Sequence, residues 1–83
     1  MANKTIYLES LQLEKDGNWD AAHRLIQQHD TAMACLIHAY LHRVEGDRYN
    51  AGYWYNNAAR PYPSMSLAEE WNTIYREVEG LDL

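Results

Sequence analysis

Two turns, Gly17-Asn18 and Gly46-Asp47, stand 29 residues apart, and each opens a segment in which small and aromatic residues return at helical spacing. Glycine tolerates the left-handed backbone that ends a helix, and the Asn or Asp beside it offers a side-chain oxygen to the first free N–H groups of the next one. In register after the two turns run Asn18-Trp19-Asp20-Ala21-Ala22 and Asp47-Arg48-Tyr49-Asn50-Ala51, and Gly80 follows Gly46 by 34 residues. A period of that length is the mark of stacked helix pairs. The chain is therefore expected to be all-α, a single domain over 1–83 made of two antiparallel helical hairpins and a C-terminal capping helix.

Periodicity places the elements. A first helix runs from about Thr5 to Lys15 with Ile6, Leu8, Leu11 and Leu13 apolar, and a second from Trp19 to about Gln28 behind the Asn18 cap, giving hairpin 1 at about 5–28. Asp30 or Thr31 caps a third helix that reaches Glu45 and is apolar around most of its circumference, as a helix contacted on several sides must be. Asp47 caps a fourth whose stripe is Ala51, Trp54, Tyr55 and Ala58, closed by Pro61 and Pro63, so hairpin 2 spans about 31–60. The capping helix, about 66–79, starts with the box Ser66-Leu67-Ala68-Glu69 and carries the stripe Leu67, Trp71, Ile74 and Val78. Its other side holds Glu69, Glu70, Glu77 and Glu79 and reads as solvated, which makes the helix a lid on the end of the stack.

Composition narrows the function classes. The net charge is −5, and residues 61–83 carry five acidic residues against one basic. Without clustered Lys and Arg to displace counterions, nucleic acid and anionic membrane surfaces are not expected partners. The single Cys35 lies in an apolar run and cannot form a disulfide within the chain, and neither a signal-peptide core nor a bilayer-length apolar segment is read, so a cytoplasmic location is expected.

Gly46, Asp47, Ala51, Tyr55, Ala58 and Pro63 fall where tetratricopeptide-like repeats carry their turn, small, aromatic and terminal residues. Trp54-Tyr55 followed by Ala58-Ala59 resembles the Sel-type relatives of that repeat. The likeness covers residues 32–63 well and 6–29 less closely, through Ile6, Ser10, Leu13, Ala22 and Ile26. It implies an α-α superhelix whose concave side receives peptides, and by that alignment Met33, Leu36, Tyr40, Arg43 and Val44 would line the groove. The segments around Ile37–Arg43 and Tyr53–Tyr55 also resemble a group of small bacterial proteins, a likeness that implies no activity. Two repeats fall short of the three that a free-standing solenoid needs, so the capping helix or self-association must cover the ends.

The function expected from this reading is a non-catalytic interaction module or small adaptor. It would bind a protein, peptide or partner helix in the apolar groove, with an acidic group near Arg43, and the same surface suits a homodimer. No cofactor is expected, and no nucleophile, phosphate loop or catalytic pair argues for an enzyme. The alternative is a metal-binding protein: His38 and His42 are i and i+4 on one helix and His23 lies on the preceding one, a spacing at which imidazoles can share an ion. The repeat alignment makes the pair packing residues between helices, and as such they are the expected pH-sensitive element of the central hairpin. Trp54 is read as core, with a small-ligand pocket around it as a further alternative. Arg43, Glu45, Asp47 and Arg48, crowded into one turn, read as a cap with surface ion pairs.

Overall fold

The structure, a computed structural model, describes residues 2–81; Met1, Asp82 and Leu83 of the expected 1–83 domain lie outside the described residues. Five helices follow in order, α1 Ala2–Lys15, α2 Trp19–Ile26, α3 Ala32–Val44, α4 Arg48–Asn57 and α5 Leu67–Glu79, and there is no strand among the described residues. The fold is all-α.

Local chemistry sets the boundaries. The side chains of Asn18, Thr31, Asp47 and Ser66 each accept the backbone N–H three residues on, and Ser66 with Glu69 completes the reciprocal box. Gly17 and Gly46 take φ of 88° and 85°, and around each the chain closes with the same pair of bonds. Asn18 N–H donates to Leu13 O at 2.8 Å and Asp47 N–H to His42 O at 2.9 Å, which satisfies carbonyls at the helix ends. The two turns are thus copies in geometry as well as in sequence. α4 ends on the same device at Ala59, whose φ of 60° is one that a residue with a Cβ adopts at a cost.

α3 is the axis of the molecule. Every residue from Ala34 to His42 is buried, and α3 packs against α1, α2, α4 and α5. Its most extensive packing is with α4, whose Ala51 and Tyr55 are buried along with the C-cap residue Ala58. α1 packs on α2, and fully buried Ser10 donates its hydroxyl to Ala22 O at 3.1 Å across that seam. Ile26, Ile37 and Leu41 are fully buried where the hairpins meet, each contributing about 1.5–3 kcal/mol of apolar transfer.

α5 departs from its expected place. Instead of closing the end of the stack it lies across α1 and α3, reaching α4 through a hydrogen bond from the Tyr55 hydroxyl to Glu70 Oε2 at 2.5 Å. Trp71, Ile74 and Val78 are buried as their spacing predicts, but Leu67 is 39% exposed and Glu70, read as solvated, is buried. The reason is that Glu70 shares a face with Ile74 one turn on, and Arg43 and Tyr55 supply the partners a carboxylate needs away from water.

Candidate metal centre

Two consecutive turns of α3 present His38 and His42 on the side that faces α2. α2 begins at the Asn18 cap, so Trp19 and His23, four apart, share one of its faces. The Trp19 indole N–H donates to Leu41 O at 2.7 Å, which pins α2 to α3 and fixes the ring on which His23 stacks, with centroids 4.9 Å apart and planes 9° from parallel. His23 Nε2 then comes to 3.1 Å from His38 Nε2. The His38 and His42 rings lie 5.1 Å apart, those of His23 and His42 5.2 Å apart. One ring nitrogen from each of the three lies within 4.8 Å of the others.

Aromatic walls and one carboxylate complete the surroundings. The indole of Trp54, from α4, stacks on His38 at 3.9 Å, and Trp19 meets His42 edge-on at 5.9 Å. His42 Nδ1 lies 2.6 Å from Glu45 Oε1, while its ring and that of His38 are buried. Burial, followed by the neighbouring His23 and His42, lowers the His38 pKa to about 4. His23, half-buried, is also lowered, first by burial and then by His42, with Glu45 and Asp20 opposing. At neutral pH, therefore, His38 and His23 are uncharged bases with lone pairs to offer.

At 3.1 Å one Nε2 donates its proton and the other accepts it, so this pair holds a single shared hydrogen where an ion could sit. Tetrahedral zinc with Zn–N of about 2.0–2.1 Å separates its nitrogens by about 3.3 Å, so His23 and His38 need only a few tenths of an ångström of movement, and His42 somewhat more. An all-imidazole set suits zinc, copper, nickel and other first-row divalent ions, and is a poor match for calcium or magnesium, which require oxygen ligands.

The expected groove residues lie elsewhere on α3. Leu36 and Tyr40 are each only 3% exposed, and Met33 and Val44 are half-buried against the core. Arg43 Nη1 donates to Glu70 Oε1 at 2.8 Å and Nη2 donates to Met65 O. Arg43 is thus engaged by α5 of the same chain, whose Glu70 stands where an acidic group of a bound peptide was expected. The Arg43–Arg48 cluster is divided among four tasks: Arg43 holds Glu70, Glu45 holds His42, Asp47 caps α4, and the Arg48 guanidinium lies 4.2 Å over the Tyr62 ring. Glu45 and Trp19 belong to the histidine cluster, although neither was assigned to it from sequence. The available signals were the three-residue step from His42 to Glu45 and the four-residue step from Trp19 to His23.

Comparison of the chain with protein-family profiles, curated proteins and solved structures gives no match. No helix among the described residues is long and apolar enough to cross a membrane.

Proposed function

We propose that this chain is a metal-binding protein in which His23, His38 and His42 hold one first-row divalent ion, with zinc the reference case. The observation that carries the reading is the meeting of three imidazole nitrogens within 4.8 Å, two of the rings buried and the pair from different hairpins already 3.1 Å apart. Because His23 stands on the α1–α2 hairpin and the other two on α3, an ion held there would clasp one hairpin to the other. A small domain with a thin core gains stability from such a clasp in proportion to ion activity. The reading assigns the chain no reaction. Calorimetric titration of tag-free protein with zinc is expected to show one equivalent bound, with His38→Ala and His23→Ala each abolishing it; wild-type protein that takes up no zinc would overturn the reading.

A second reading, the interaction module, draws support from the way α5 is held. Glu70 on Arg43 and Tyr55, and the Trp71 indole N–H on Leu11 O at 3.0 Å, form a recognition set of the kind a bound helix would use. A partner helix carrying a carboxylate would have to replace α5 there. A labelled peptide of residues 66–81 added to the full-length protein tests this: saturable binding that Arg43→Ala weakens supports it, and no binding refutes it.

A further inference from the structure

The same neighbourhood offers a metal two competing sets of donors, since His42, Glu45 and Asp47 also bring one atom each within 4.8 Å. The two sets demand opposite things of His42. Coordination of an ion beside Glu45 through Nδ1, the nitrogen that faces that carboxylate, requires Nδ1 to lose its proton, whereas a proton kept on Nδ1 leaves Nε2 as the one nitrogen with a lone pair for the three-histidine set.

Resting on the metal-binding reading above, we infer that Glu45 is a positioning residue: it accepts the Nδ1–H of His42 and thereby commits His42 to coordinate through Nε2 beside His23 and His38. Three observations carry this. The Nδ1 to Oε1 distance is 2.6 Å, short and charge-assisted, with the histidine side chain buried. Glu45 is the C-cap of α3, at φ −79° and ψ −3°, and the positive φ of Gly46 turns the chain away immediately afterwards. This leaves the carboxylate to fold back on the ring three residues earlier. Asp47 is already engaged, for its Oδ1 accepts Asn50 N–H at 3.1 Å and its Oδ2 accepts the Asn50 side-chain amide at 2.7 Å, so an ion there would compete with the α4 cap for the carboxylate's orientation. A carboxylate behind an imidazole that binds metal on its far nitrogen fixes the tautomer and raises the basicity of the ligand.

The experiment pairs nitrogen-15 NMR of the histidine rings in full-length protein with zinc titrations of wild type, Glu45→Ala, Glu45→Gln and Asp47→Asn. Metal-free wild type is expected to show His42 with its proton on Nδ1, and zinc to move the Nε2 resonance. Glu45→Ala should lose about 10- to 100-fold in zinc affinity and the single tautomer with it. Glu45→Gln, whose amide oxygen still accepts from Nδ1–H, should recover part of both, and Asp47→Asn should bind zinc as wild type does. A purely structural Glu45 would lower thermal stability and leave tautomer and affinity alone, which overturns the inference, as does a metal-free His42 protonated on Nε2 alone, or a loss in Asp47→Asn equal to that in Glu45→Ala. Failure of wild type to bind zinc would count against the metal reading, while the metal-free tautomer still decides the role of Glu45.

Discussion

The two polar regions buried along α3 are built on opposite principles. Where α5 crosses α1 and α3, polar groups are mostly paired with opposite partners: Glu70 receives Arg43 and Tyr55, Arg43 also reaches Met65 O, and the Trp71 N–H meets Leu11 O, with Glu14 Oε1 the one buried side-chain oxygen left without a partner among the described residues. Where α2 faces α3, three imidazoles press together, His23 bonded to His38 and His42 to Glu45, so that like rings meet in place of opposite charges. A paired buried network serves to fix one packing arrangement, whereas a cluster of like bases invites a cation or a proton. The comparison sets a region that fixes packing beside the one proposed to hold an ion, on a single helix.

The hardest way to break the comparison is to unbalance the paired region. Glu70→Ala leaves the Arg43 charge without its carboxylate, and because the Arg43 side chain keeps 16% exposure urea unfolding is expected to show a loss at the low end for a buried pair, about 3 kcal/mol. If the division of roles is right, the zinc affinity of the folded variant is unchanged; a coupled loss would merge the two regions into one. The imidazole region should respond to acid. His38 has a folded pKa of about 4 against an unfolded value near 6.5, so the unfolded chain takes up the proton first. Stability is therefore full above about pH 6.5 and falls progressively as the pH drops toward 4, by on the order of 3 kcal/mol. The groups facing His38 are His23, His42 and Trp54, and His23, also lowered, acts in the same sense. Unfolding midpoints in urea that stay level between pH 7 and pH 5 would contradict this.

A smaller effect sharpens the contrast from the other side. Zinc at 100 times its dissociation constant should add about 2.7 kcal/mol to wild type, measured as a rise in Tm, and nothing to His23→Ala. Smallest is a change remote from the histidine cluster. Ala59→Gly relieves a left-handed alanine and is expected to raise stability by about 0.5–1 kcal/mol by chemical unfolding, leaving zinc affinity and acid response as they were.

How much of this could be read in advance depended on the range of the chemistry. Asn18, Thr31, Asp47 and Ser66 were legible as caps because capping needs only residues within one turn, and the two glycine turns were legible because both obey the same local rule. The first helix begins earlier than Thr5, since nothing in Ala2–Lys4 forbids helix. The seat of α5 was not legible: Trp71, Ile74 and Val78 announce that one face is buried without saying against what, and an isolated Glu70 gives no sign that Arg43, 27 residues before it, will neutralise it. For the histidines, the spacing of His38 and His42 was visible in one helix, but the approach of His23 depends on the angle between hairpins, which Trp19 sets through the Leu41 carbonyl.

Two of the three indoles, Trp19 and Trp54, rest face to face on His23 and His38, while Trp71 stacks on Tyr75 beneath the Lys15 ammonium, away from the cluster. Imidazolium and bound paramagnetic ions both drain the excited state of an indole in contact with them. Acidification, or titration with a paramagnetic ion such as copper(II), should therefore dim Trp19 and Trp54 against Trp71 as an internal reference, whereas zinc, with its filled d shell, should not.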